Sequence, residues 1–163
     1  MQYRRKMRPI VRRYAGGGRV VQRTSNITTV DDLNREIRGN LAGHMGLRIT
    51  SVRHGFVEGR LALRPDLAAP TGYLMDSVIL GIANSLCSYG VSTAWPDGAV
   101  GFITVQAGCS FTSALRTGMG VCTARLMYGG HTSQVWDAEF LDESTGRLLA
   151  SFRCTQMFQY PGG

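Results

Sequence analysis

The stretch Leu74-Met-Asp-Ser-Val-Ile-Leu-Gly-Ile-Ala-Asn-Ser-Leu-Cys-Ser-Tyr89 decides the fold. Leu74, Met75, Val78, Ile79, Leu80, Ile82, Ala83 and Leu86 cover most of a helical circumference, and a helix that is apolar nearly all round must be enclosed by other elements. What encloses it can be found by moving outward. Upstream, beyond a proline-containing loop from Arg64 to Gly72, two strand-like runs, Leu47–Val52 and Phe56–Leu63, are joined at His54-Gly55 and predict a hairpin. Downstream the period changes to that of strands. Phe102–Ser113, Gly120–Tyr128, Thr132–Asp142 and Leu148–Phe158 are rich in β-branched, aromatic and apolar residues, with turns at Gly129-Gly130 and Glu143-Ser144-Thr145-Gly146. One buried helix between a hairpin and a run of strands implies an α+β layer, with an antiparallel sheet wrapped around one long central helix. A shorter helix is expected from Thr28 or Thr29 to about Leu41, with Asp31 and Asp32 at its positive end and Leu33, Ile37 and Leu41 as its apolar stripe.

The net charge of +7 is local. Residues 1–26 hold Arg4, Arg5, Lys6, Arg8, Arg12, Arg13, Arg19 and Arg23 and no acid, which leaves ten basic against eleven acidic residues in the remainder. With Gly16, Gly17 and Gly18 and few large apolar side chains, residues 1–26 are expected to form a disordered basic tail ahead of one domain over 27–163. Tyr3 and Tyr14 among the arginines permit a nucleic-acid reading, but no RNA-binding motif follows, so no nucleic-acid partner is expected. A solvated tail, a leader from an over-extended start site, and an arm on an acidic surface of a partner subunit all stay open.

Cys87, Cys109, Cys122 and Cys154 are 22, 13 and 32 positions apart and form no Cys-x-x-Cys pair suited to zinc or redox chemistry. They are expected as buried thiols in a reducing compartment. No run of about 18 uninterrupted apolar residues occurs, so a soluble, cytoplasmic protein with no membrane partner is expected.

Three segments carry a resemblance: Gly72-Tyr-Leu-Met-Asp-Ser-Val-Ile-Leu-Gly-Ile-Ala-Asn84, Tyr128-Gly-Gly-His-Thr-Ser-Gln-Val-Trp136 and Gly146-Arg-Leu-Leu-Ala-Ser-Phe-Arg-Cys-Thr-Gln156. Together they resemble the phenylacetate-pathway and 4-hydroxybenzoyl-CoA branch of the hotdog-fold acyl-CoA thioesterase superfamily, over roughly residues 41–160. The resemblance implies a homodimer or homotetramer with each active site at a subunit interface. It also implies hydrolysis of acyl-CoA or acyl-carrier thioesters without metal or other cofactor. A backbone N–H at the start of the central helix would hold the thioester oxygen, and a helix carboxylate would act as base or nucleophile. The physics is sound, since a helix N-terminus offers unpaired N–H donors and a positive dipole where negative charge develops.

This chain departs from the family where the chemistry lies. The usual His-Gly-Gly falls on Met75-Asp76-Ser77, the helix Asp or Glu on Asn84, and the Asn or Gln that precedes the junction on Ala69. An amide cannot attack or take a proton as a carboxylate does. Asn84, with Ser77 and Ser88 close to its own helix face, is therefore a substrate-facing amide, a structural amide bonded to backbone, or an amide introduced to trap a substrate. Asp76, the only acid of the helix, is a cap or a substitute base. His131 either stands where relatives often carry Arg or Lys near CoA or is only a turn residue, and it is followed by the hydroxyl pair Thr132 and Ser133. The candidate catalytic residues are thus Asn84 and Asp76. The candidate substrate-binding residues are Gly72, Tyr73, Met75, Ser77, Ser88, His131, Thr132 and Ser133. Two functions follow: a thioesterase-like hydrolase with an atypical active site and weak ordinary hydrolysis, or a non-hydrolytic relative that binds an apolar or aromatic ligand, or catalyses dehydration or cyclisation. Removal of residues 1–26 should leave the melting temperature within about 2 °C by calorimetry, whereas a loss beyond about 5 °C would mean that the segment packs on the domain.

Overall fold

From Gln134 to Phe140 in one strand and from Ala150 to Phe158 in the next, every second side chain is buried. A period of two means one face on a core and one toward solvent, and the core face of these strands is the floor on which the long helix lies. In the computed structural model residues 29–161 are described, with the backbone of two short strands upstream, β1 (Val11–Arg13) and β2 (Arg19–Val21), paired antiparallel. The rest of segment 1–26, and with it most of the expected disordered tail, lies outside the described residues.

Six further strands form one antiparallel sheet: β3 (Arg48–Arg53), β4 (Phe56–Ala62), β5 (Gly101–Phe111), β6 (Met119–Gly129), β7 (Ser133–Asp142) and β8 (Leu148–Gln159). Their order is β3-β4-β6-β7-β8-β5. After the helix the chain runs to the far edge as β5 and returns to β6 beside β4, so the helix is enclosed by a sheet whose two ends are β3 and β5. The central helix α3 (Asp76–Val91) lies over β4, β6, β7 and β8 and meets β5 only at its margin. This is the expected hotdog arrangement.

Asp76–Ala94, which is α3 with the turn after it, is long and apolar enough to cross a membrane by length and composition, but over half of it is buried. Val78, Ile79, Ile82, Ala83, Leu86, Cys87 and Val91 form the buried face. Burying side chains as large as Ile82 and Leu86 contributes roughly 1.5–3 kcal/mol each. Trp136 and Phe140 fill the floor beneath, while Glu139 between them is exposed, as the alternation predicts.

The expected helix to Leu41 is broken in two. α1 (Val30–Ile37) is opened by a capping box between Thr29 and Asp32, and Asn40 caps a separate α2 (Leu41–Met45) by accepting from the Gly43 N–H at 3.4 Å. α2 folds back so closely that a Cβ on Gly43 would stand 2.0 Å from the Ile37 carbonyl oxygen. Leu41, expected in the apolar stripe, is instead 65% exposed, because the stripe ends with α1.

The two sheet edges differ. At β3 the Asn34 side chain of α1 clamps one residue, its Nδ2 donating to Ile49 O at 2.8 Å and its Oδ1 accepting from Ile49 N at 2.9 Å. Such a clamp occupies backbone groups that would otherwise seek another strand. β5 is paired with β8 alone among the described strands of this sheet, with the backbone of β2 in contact with it, and Ile103, Val105 and Phe111 on it are 49%, 47% and 41% exposed.

The seating of α3 relies on Gly90, where a Cβ would lie 2.5 Å from the Trp136 ring. Gly90→Ala must push ring or helix away, and overpacking of this kind costs about 1–3 kcal/mol. Urea denaturation should show that loss; an unchanged midpoint would mean that Trp136 moves freely.

Candidate active site

The start of α3 is fixed by its backbone rather than by a side-chain cap. Gly72, at φ +83°, donates to Ala69 O at 2.8 Å, and Ala69 N donates to Tyr73 O at 2.8 Å, which closes a tight turn. Leu74 N then donates to Leu115 O at 2.8 Å and Met75 N to Leu67 O at 3.0 Å. Met75 is the N-cap and makes no side-chain capping bond, so the first-turn N–H groups keep the orphan donors and positive dipole of a helix start. Asp76 is exposed in the first turn, not at the cap position considered for it from sequence. Its charge lies where the dipole favours it. Tyr73, 38% exposed, carries the Arg116 guanidinium 5.5 Å from its ring centre.

Ser77, Leu80, Asn84 and Ser88 lie on the face of α3 that the sheet leaves uncovered. Ser77 and Leu80 are exposed, and Asn84 and Ser88 half-buried. The Asn84 Oδ1 is buried without a hydrogen-bond partner, and no other buried side-chain oxygen or nitrogen among the described residues is left so. An acceptor in that state costs about 1–3 kcal/mol unless something donates to it. Ser88 does not: its hydroxyl donates to the Asn84 backbone oxygen at 2.9 Å. Asp76 lies eight residues before Asn84, about 12 Å along the axis at 1.5 Å per residue, so within one chain it cannot stand in at the Asn84 position.

The remaining sequence candidates lie elsewhere. His131 stacks on Tyr160 with ring centres 4.4 Å apart and 11° between planes, and the Tyr160 hydroxyl donates to the His131 carbonyl. Thr132 O accepts from Phe158 N at 2.9 Å, and Ser133 O from Gly130 N at 2.9 Å. Just beyond, Gln134 Nε2 donates to Ala94 O at 2.6 Å, which ties this segment to the end of α3. A groove of about 260 Å³ opens there, lined by His54, Pro96, Leu126, His131 and Gln134 among others. His131, Thr132 and Ser133 are thus at one end of a helix about 24 Å long, and Gly72, Tyr73, Met75, Asp76 and Ser77 at the other. One chain does not bring the two groups together.

Residues missed in the sequence occur on the helix-facing side of β5. The Cys109 thiol has its pKa raised, first by burial and then by the charge of Asp76 nearby, which sets β5 beside the start of α3. Thr104, on the same side of the strand, donates from Oγ1 to the Oε1 of fully buried Gln156 at 2.8 Å. The strand period of two signals this side, but a bulge between Thr104 and Gln106 shifts the alternation and hides it from a count of positions. Cys87 is buried with a raised pKa, owing to its hydrogen bond with Cys154 and then to burial. It has the inert surroundings expected of it. Among the described residues no group of three His, Cys, Asp or Glu is placed to hold a metal ion.

No protein-family model matches the chain. It is 30% identical over 112 residues to a 1,4-dihydroxy-2-naphthoyl-CoA hydrolase of Listeria monocytogenes, a match covering 68% of this chain and 89% of that protein. The fold is similar to that of a thioesterase from Haemophilus influenzae, with a TM-score of 0.76 at 19% identity over 84% of this chain and 94% of that one. It is also similar to thioesterase superfamily member 2 of zebra fish, with a TM-score of 0.74 at 16% identity over 82% and 100% of the two chains. A curated relative at this level over most of its length, on the same sheet-and-helix scaffold, settles the kinship: the chain belongs to the hotdog-fold thioesterase superfamily.

Proposed function

We propose that this protein is a cytoplasmic, homo-oligomeric thioesterase-like protein acting on an acyl-CoA or acyl-carrier thioester, with Asn84 in place of the helix carboxylate. The observation that carries this reading is the unpartnered Asn84 Oδ1 on the uncovered face of α3. A structural amide is normally satisfied by its neighbours. This acceptor is left for something that arrives later, a water or a ligand group.

The chemistry divides between the two ends of α3. First-turn N–H groups at Asp76 and Ser77 are donors for the thioester oxygen, whose developing charge the helix dipole stabilises. Gly72, Tyr73 and Met75 form the entrance to that position. Asn84 can orient a water but cannot remove its proton, so hydrolysis of ordinary acyl-CoA esters is weak unless an acid, Asp76 or another from a second subunit, reaches the water. Ser77 and Ser88 extend the polar stripe beside it.

A second copy is needed to join the two groups of residues. Pairing of two copies along β5 in an isologous dimer would cover Ile103, Val105 and Phe111 and leave a site between chains. His131, Thr132 and Ser133 of one chain then serve the CoA portion of a ligand held at the other chain's helix. A neutral imidazole is a weaker phosphate partner there than guanidinium. The aromatic CoA thioester named for the Listeria relative supports a CoA ester as the ligand. Four free cysteines suit a reducing cytoplasm.

The lost carboxylate also favours a second reading, in which the same slot holds an apolar or aromatic molecule without hydrolysing it, or promotes dehydration or cyclisation. Hydrolysis of benzoyl-, phenylacetyl- and medium-chain acyl-CoA by the protein and by Asn84→Asp separates the two. The protein should be nearly inactive and the variant about a hundredfold faster, the usual scale of a positioned base. Half-burial without a partner raises a carboxyl pKa. The variant's rate should therefore climb as pH rises through a value above the ordinary aspartate range. Rapid turnover by the unaltered protein would defeat the proposal, and equal inactivity of both would leave the non-hydrolytic reading.

A further inference from the structure

A second groove lies between the α1–α2 fold-back and the edge strand β3, and no residue of α3 lines it. Its volume is about 470 Å³, within the range of about 300–1,000 Å³ usual for small-molecule clefts. Asn34, Arg38, Gly43, Gly46, Arg48 and Thr50 are among its lining residues. Other arginines of this region have their charge matched: Arg35 by Asp32 at 3.0 Å, Arg60 by Glu143 at 2.8 Å and Arg64 by Asp66 at 2.9 Å. Arg38 and Arg48 have no ion pair or side-chain hydrogen bond among the described residues. Arg48 lies directly across the β3–β4 ladder from Arg60, which has already engaged Glu143. Glu58, the one acid of β4, has its Oε1 held by the Thr50 hydroxyl at 2.8 Å.

Two unmatched guanidiniums on different walls of one groove, the end of α1 and the strand β3, favour an anion. The geometry narrows its class. A carboxylate has two oxygens in one plane and is met by a single guanidinium fork, whereas a tetrahedral phosphate offers three oxygens to donors that arrive from separate directions. The groove is far larger than one phosphate ion, which leaves room for an organic part beside the glycines. An acidic peptide added as a further strand is disfavoured, because Asn34 already occupies both backbone groups of Ile49 at this edge.

We infer that this groove is a binding site for the phosphate ester of a small molecule, with Arg38 and Arg48 holding the phosphate. It is separate from the α3 site and does not rest on the thioester reading.

Thermal melts of the full chain at constant ionic strength provide the test, with ribose 5-phosphate and adenosine monophosphate as probes and ribose, succinate and inorganic phosphate beside them. At least one ester should raise Tm by about 3 °C when present at about ten times its dissociation constant. Ribose should give no shift, and succinate and inorganic phosphate should need about tenfold higher concentration. Arg38 and Arg48 are exposed, so Arg38→Gln and Arg48→Gln should melt as the unaltered protein does without ligand. Each should weaken binding of the ester about tenfold, whereas Arg125→Gln, on β6, should leave it intact. Absence of a shift with both esters would overturn the inference. So would an equal response to succinate or to inorganic phosphate, or ester binding that survives both groove substitutions.

Discussion

The seating of α3 on the inner face of the sheet is the constraint on which the rest of this molecule depends. The helix is apolar on the side that meets β4, β6, β7 and β8, and it approaches closely enough that Gly90 tolerates no Cβ above Trp136. Dense packing of this kind fixes rotation as well as position, since turning the helix by one residue would bury Asn84 or Ser88 and expose Ile82 or Leu86. A single contact surface thus decides which side chains remain for chemistry.

That rotation also sets the electrostatic character of the site. Because α3 lies mainly over β4, β6, β7 and β8 and meets β5 only at its margin, Asn84 and Ser88 stay half-buried rather than enclosed. The Ser88 hydroxyl proton is engaged with the Asn84 backbone oxygen, and that of Thr104 on β5 with Gln156. At the helix start, where no side chain caps the first turn, the backbone N–H groups keep the positive end of the dipole.

The two edges of the sheet divide labour in a similar way. Asn34 closes β3 with a pair of hydrogen bonds to Ile49, whereas β5 is paired with β8 alone among the described strands of its sheet and has the backbone of β2 in contact with it. Position 84 is the complementary case within the helix: an amide whose oxygen has no partner among the described residues. Asn34 and Asn84 are chemically identical, and only their surroundings make one a clamp and the other a vacant acceptor.

Periodicity in the sequence determined the number and type of the main elements, because the run from Leu74 to Tyr89 and the alternation in 132–142 and 148–158 are local patterns that local backbone geometry converts directly into helix and strand. The kinship motifs were likewise legible, because they are short runs of contiguous residues, and they sufficed to recognise the superfamily. The break between α1 and α2 was not legible, since it depends on Gly43 meeting the Ile37 carbonyl, a contact made only once the chain folds back. The partnership of Thr104 with Gln156 was equally hidden, because 52 residues separate them and a bulge moves the register. The remoteness of His131 from Asp76 emerged only with the fold, since the packing of β7 against the far end of α3 places them. Short-range spacing can specify an element and the face of a side chain, but which faces meet, and which oxygen is left without a proton to accept, depends on contacts between distant segments that only the packed core brings into register.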